Sequence, residues 1–329
     1  MTYNLNLLRA IGILLVTNSH FDALYPDPRL GTGGALGNAV FFALSGYGLA
    51  FSYRNRGRGF LGWYWRRITR IFPSVWIVAL LTLTYLGLWN AATPATLFAE
   101  FFWPTRHWFI SAIMLFYIAF FLLLATGRKL AFEAGAALLF IPYVIGYLWF
   151  VDLSTWSVEG GYFKWIFYGQ VMLLGAVVAN RDDLLVSGNW RLEAFALVAL
   201  FVSYFGAKLL MSATGFWDAQ FVIHLLTLPM LLLAFRVCAA KPMQDWVVQS
   251  GPGRAAGFVS VIAFEMYLTQ HLFHGDPWLR SLPFPLGAML ALAGVMLLSM
   301  GVLWLANLIR SGLDRRTGSV ARIVPESKP

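Results

Sequence analysis

Apolar runs of about 20 residues, repeated along the whole chain, constrain this sequence more than any motif in it. A run of that length crosses the hydrocarbon core only as a helix, because lipid offers no partner to an unpaired backbone N–H or C=O. Such runs are read at 5–24, 38–53, 68–89, 107–126, 133–150, 162–179, 192–211, 219–236, 256–274 and 285–309. Only 12% of the residues are charged, against about 25% in a soluble domain, so little remains to cover a water-facing surface. The pattern predicts an all-α, polytopic membrane bundle of about ten transmembrane helices.

A net charge of +9 invites a nucleic-acid reading, but the placement of the charges opposes it. With the N-terminus in the cytoplasm, the inner loops and tail hold eighteen Lys and Arg residues. The outer side holds five: Arg29, Arg106, Lys164, Lys208 and Arg280. That asymmetry follows the positive-inside rule, and an even number of spans returns the C-terminus to the cytoplasm. The expected partner is therefore the lipid bilayer, with no nucleic acid. The expected organisation is a transmembrane domain over 1–310 and a short, polar, basic tail over 311–329. The N-terminus lacks a basic stretch and a small-residue cleavage site, so the first helix is expected to be retained. Cys238 is the single cysteine, which excludes an intrachain disulfide and a cysteine metal cluster.

Within the spans, ionised side chains are costly and mark function by default. Arg9 and His20 are eleven residues apart in the first span. Eleven helical steps return to within about 20° of the starting direction and rise about 16 Å, so one face carries a cation at one depth and an imidazole at another. Asn6 and Thr17 fall in the same sector. Farther along, Tyr64-Trp65-Arg66-Arg67-Ile68-Thr69-Arg70-Ile71-Phe72-Pro73 places Arg66 and Arg67 one turn before Arg70 if helical. The planar guanidinium forks of such a face suit phosphate, although clusters of this kind also set topology or bind anionic lipid. In the second span, Ala43, Ser45, Gly46 and Gly48 let another backbone approach closely. The ninth span carries Glu265, Tyr267, His271 and His274, the last three spaced for one helix face. Glu265 requires a partner, and Arg9 or an inner-loop arginine is the expected one. His107 and Trp108 open the fourth span. His20, His107, His271 and His274 thus fall at one membrane level; interfacial histidines are inexpensive, and no metal is expected.

Taken in order, these segments resemble the acyltransferase 3 family of integral-membrane O-acyltransferases. Leu7-Leu8-Arg9-Ala10-Ile11 with His20-Phe21 is similar to its first-helix signature. Phe41-Phe42-Ala43-Leu44-Ser45-Gly46-Tyr47 is similar to its second-helix segment, and Arg67-Ile68-Thr69-Arg70-Ile71-Phe72-Pro73 to its RxxRI[FY]P loop. His107-Trp108-Phe109-Ile110 and Tyr267-Leu268-Thr269-Gln270-His271 resemble two weaker downstream motifs. Where many relatives read WSLxxE, this chain has Trp108-Phe109-Ile110-Ser111-Ala112 and lacks the glutamate.

The resemblance implies an acyl-CoA donor, acetyl-CoA being the expected one, entering from the cytoplasm. It implies a hydroxyl acceptor on an envelope glycan or a lipid-linked sugar, and a bacterial inner membrane. In that setting His20 and Arg9 are the expected catalytic residues. Arg66, Arg67 and Arg70, with Ser45 and Tyr47, are expected to contact the donor. His107, Trp108, Glu265, Tyr267 and His271 are expected around the acceptor. Two other classes compete: a secondary transporter using Arg9, Glu265 and His20 in substrate or proton translocation, and a noncatalytic assembly subunit that tolerates replacement of Arg9 and His20.

Overall fold

The computed structural model describes residues 3–56, 59–127, 130–186 and 188–321. Arg58, Arg128, Lys129, Arg322 and Lys328 of the charge tally, and residues 322–329 of the expected tail, lie outside the described residues. Among the described residues the secondary structure is helical, with no strand. The α-helices are α1 (Asn6–His20), α2 (Gly34–Arg56), α3 (Phe60–Tyr85), α4 (Pro94–Phe101), α5 (Trp108–Ala125), α6 (Ala131–Phe150) and α7 (Phe163–Asn180). They continue with α8 (Trp190–Thr214), α9 (Phe221–Ala239), α10 (Lys241–Gln249), α11 (Gly251–Thr269), α12 (Pro277–Ser281) and α13 (Leu286–Ala321).

Eight stretches among the described residues are long and apolar enough to cross a membrane: Pro28–Tyr53, Phe60–Tyr85, Trp108–Ala125, Ala131–Phe150, Phe163–Asn180, Trp190–Thr214, Trp217–Ala239 and Leu286–Leu313. The first and ninth expected spans are outside this set. They correspond to α1, which has 15 residues, and α11, whose 19 residues include three glycines and Arg254. The chain is a polytopic helical membrane protein. The arginine-rich segment is helical and forms the first half of α3, and α13 runs to Ala321.

The helices gather into two compact units, one of residues 1–19, 32–57 and 115–261, the other of 20–31, 58–114 and 262–329. In the first unit α2 packs on α7 at backbone distance. A Cβ on Gly46 would stand 1.8 Å from the Met172 carbonyl oxygen, and one on Gly175 would stand 1.9 Å from that of Ala43. Two glycines, one on each helix, therefore let the axes approach, as small-residue interfaces do in lipid. Around Gly48 there is open space, so the stripe expected on α2 is used at Ala43 and Gly46.

Helix ends follow local chemistry. Asn189 accepts from the backbone N–H groups of Arg191 and Leu192 to start α8, and Gly215 at φ +69° closes it. Burial separates lining from lipid-facing helices: 61% of the most apolar stretch of α7 is buried, against 11% of that of α8. In the second unit α3 packs on α13, and Trp76 Nε1 donates to the Phe101 carbonyl at 3.0 Å, fixing α4 against α3.

Candidate active site

The second unit brings together the histidines that the sequence scatters over 250 residues. His20 is the exposed last residue of α1. His107 is buried in the turn before α5, and His271 is half-buried in the turn that follows α11. The rings of His107 and His271 meet edge to face, with centroids 5.1 Å apart, and His20 is an electrostatic neighbour of both. Tyr267 lies against His107 at 5.8 Å and against Phe109 at 5.4 Å. Trp108, half-buried, is edge-on to Phe109 at 6.4 Å.

Hydrogen bonds set the protons of His271. Its Nδ1 is 2.7 Å from the Leu268 carbonyl oxygen, which only accepts, so Nδ1 carries hydrogen. Its Nε2 is 3.0 Å from Thr82 Oγ1, and the same hydroxyl reaches the Val78 carbonyl at 2.8 Å. With a neutral ring Thr82 turns its proton to Nε2. With imidazolium, Nε2–H donates to Thr82 and the hydroxyl proton goes to Val78. One buried hydroxyl thus serves either protonation state.

His107, just ahead of the Trp108–Ala125 span, is pulled down to about 3, chiefly by burial and then by the neighbouring His271 and Arg106. It is a neutral ring at physiological pH. The turn that holds it is tied by Arg106, whose Nε and Nη2 donate to Glu100 Oε1 at 3.1 and 3.0 Å. The expected shared face of Tyr267, His271 and His274 changes because α11 ends at Thr269. His274 Nδ1 donates to the His271 carbonyl at 2.9 Å instead.

At the other end of the same unit, Arg66, Arg67 and Arg70 do lie on one helix, with the Arg67 guanidinium 4.6 Å from the centre of the Trp63 ring. Glu265 is buried and accepts from Ser74 Oγ at 2.8 Å. Its cationic neighbour is Arg310 of α13, at 3.7 Å, one of the arginines expected on the inner side. Arg310 Nη2 also donates to Ser74 Oγ at 3.0 Å and to the Arg70 carbonyl at 2.7 Å, tying α13 to the basic turn of α3.

The remaining expected residues belong to the first unit. Arg9 Nη1 donates to Ser260 Oγ at 3.1 Å and lies 3.5 Å from Asn6 Oδ1. Tyr47 stacks on Phe235 with centroids 5.6 Å apart, and Ser45 is half-buried two residues before it. Among the described residues no three His, Cys, Asp or Glu side chains are arranged to hold a metal ion.

Sequence reasoning missed Thr82 and Glu100 as parts of these clusters. It also missed a second polar network, in the first unit. His224 Nε2 donates to Glu159 Oε1 at 3.0 Å, and its Nδ1 shares a hydrogen bond with the Tyr143 hydroxyl at 3.0 Å. Tyr168 donates to Glu159 Oε2 at 2.8 Å. The His224 ring lies flat on Phe167, 3.7 Å between centroids and 3° between planes.

No curated protein and no solved structure matches the chain. A family model described as an acyltransferase domain matches residues 2–307, nearly the whole length and both units. With apolar helices throughout, the domain is a membrane acyltransferase, and the chain belongs to the acyltransferase 3 family.

Proposed function

We propose that the protein is an O-acyltransferase that moves an acyl group, acetyl in the first instance, from acyl-CoA to a hydroxyl of a cell-surface polysaccharide or its lipid-linked precursor. The setting is a bacterial inner membrane crossed ten times, with both termini in the cytoplasm and 311–329 as a basic tail. The observation that carries the reading is the gathering of exposed His20 beside neutral His107 and Thr82-bound His271 in one unit, in a chain of an acyltransferase family.

His20 takes the proton of the acceptor hydroxyl as its oxygen attacks the thioester carbonyl. Arg9, on the same helix about 16 Å from His20, donates to the donor along the path of its pantetheine arm. Collapse breaks the C–S bond, and the imidazolium returns its proton to the departing CoA thiolate. His107, Trp108, Tyr267 and His271 line the acceptor end. Arg66, Arg67 and Arg70 pair with donor phosphates, with Ser45 and Tyr47 as further donor contacts. Glu265, buried against Ser74 and Arg310, holds the basic turn rather than meeting the acceptor.

The test is release of free CoA thiol by the purified protein supplied with acetyl-CoA and an envelope glycan stripped of esters. Thiol release that depends on the glycan supports the reading. Release from succinyl-CoA alone corrects the acyl group. No release from either donor, with glycan-sugar counterflow in proteoliposomes, replaces the reading with a transporter.

A further inference from the structure

A cavity of about 590 Å³ opens in the first unit where the α7–α8 connection meets the corner between α9 and α10. Asn189, Arg191 and Lys241 are its polar lining, and Trp190 and Pro242 line it as well. A smaller apolar cavity of about 260 Å³ shares Trp190 and Pro242 with it and is completed by Leu7, Met243 and Trp246. Nothing in the proposed acyl transfer uses these residues.

The walls are held in place. Arg236 is ion-paired to Glu193 and donates to the Leu184 carbonyl at 3.1 Å, which pins the α7–α8 connection to α9. Gln244 exchanges hydrogen bonds with the backbone of Asn4, accepting at 2.8 Å and donating at 3.0 Å, which pins α10 to the N-terminal segment. Charge and shape then select an occupant. Arg191, lying over the Trp190 ring at 5.8 Å, and Lys241 supply two cations at one end. The exposed pair of Lys241 with Asp245 at 2.9 Å competes little with a stronger anion. At the other end the slot offers hydrocarbon and indole faces. A nucleotide base there would leave its carbonyls and most of its N–H groups unpaired, whereas a hydrocarbon chain has nothing to pair.

We propose that the two cavities bind one anionic phospholipid, with its phosphate between Arg191 and Lys241 and an acyl chain along Met243 and Trp246. The short helix α10, with Met243 and Trp246 at i and i+3, provides the apolar edge of that site.

The experiment is native mass spectrometry of the full-length protein released from nanodiscs, titrated with dioleoyl phosphatidylglycerol, dihexanoyl phosphatidylglycerol, dioleoylglycerol and inorganic phosphate. One tight dioleoyl phosphatidylglycerol adduct is expected. Arg191→Gln with Lys241→Gln should weaken it about twenty-five-fold, each interfacial cation contributing roughly fivefold. Met243→Trp, which keeps both cations and fills the slot, should weaken the dioleoyl lipid and spare the dihexanoyl one, so the test survives if the double variant fails to fold. Unchanged affinity for the dioleoyl phospholipid in either variant overturns the proposal. So does dioleoylglycerol binding as tightly as the phospholipid, or inorganic phosphate binding as tightly, which would leave a simple anion pocket.

Discussion

The two histidine networks, one in each unit, use the same side chain in opposite ways. In the first unit His224 is 2% exposed, both ring nitrogens are engaged by Tyr143 and Glu159, and Phe167 covers one face. No atom of that ring is left for a substrate, and its hydrogen bonds are spent within the protein. In the second unit His271 is also bonded through both nitrogens, to the Leu268 carbonyl and to a hydroxyl that reorients with its proton, but its ring is only half-buried and His20 is exposed. A closed network holds a fold, because breaking it strands a buried polar group. An open one leaves an imidazole able to exchange a proton with something that arrives. The difference is in accessibility, not in residue type.

The largest expected effect separates the two directly. His20→Ala should lower acyl transfer by roughly 10²–10⁴-fold, the usual worth of a positioned general base, while abundance and thermal unfolding stay at wild-type values. Next, Glu159→Gln or His224→Phe should destabilise the protein by about 3 kcal/mol, the scale of breaking one side of a buried pair, and should lower turnover only in proportion to folded protein. A His224 variant that keeps stability and loses transfer would erase the contrast.

The Glu159 network also carries a pH signature. Burial alone would push its carboxyl up, but hydrogen bonds from His224 and Tyr168 and the nearby Lys164 ammonium more than reverse this and hold it below its usual range. Its stabilisation is therefore complete above the unfolded value of about 4.3 and is lost as pH falls through the lower folded value. Thermal unfolding in acid should show that loss in the wild type, and it should be reduced in Glu159→Gln.

Smaller effects test the donor end and the hydroxyl. Arg67→Ala with Arg70→Ala should raise the donor KM about tenfold with kcat little changed, because those contacts are far from the reacting carbon. An unchanged KM would remove the phosphate assignment. Thr82→Val should cost a few-fold in kcat at constant donor KM, on the scale of one neutral hydrogen bond.

Much of the fold was legible because its causes are periodic. Apolar runs announce spans, and the Ala43–Gly46 stripe announced a close helix crossing that Met172 and Gly175 complete. The short α4 and α12 were not visible as helices, since Thr93-Pro94 and Asp276-Pro277 read equally well as turns until packing selects the cap. At the site, His20, His107 and His271 were legible from motifs. Their supports were not: a lone Thr82 in an apolar run and Glu100 six residues before Arg106 have no distinctive spacing. The Glu159–His224 pair escaped for the same reason, being 65 residues apart and joined only by folding. Arg310 looked like one more inner cation, and its bonds to Ser74 and Arg70 appear only once α13 packs on α3.

The most direct measurement of the central claim is transfer of radiolabelled acetyl from acetyl-CoA into envelope glycans, comparing wild type with His20→Ala at matched membrane abundance. Label entering glycan with the wild type and falling to background with the variant is the predicted result. Equal labelling by the two would contradict the claim that the exposed histidine of the second unit carries the chemistry.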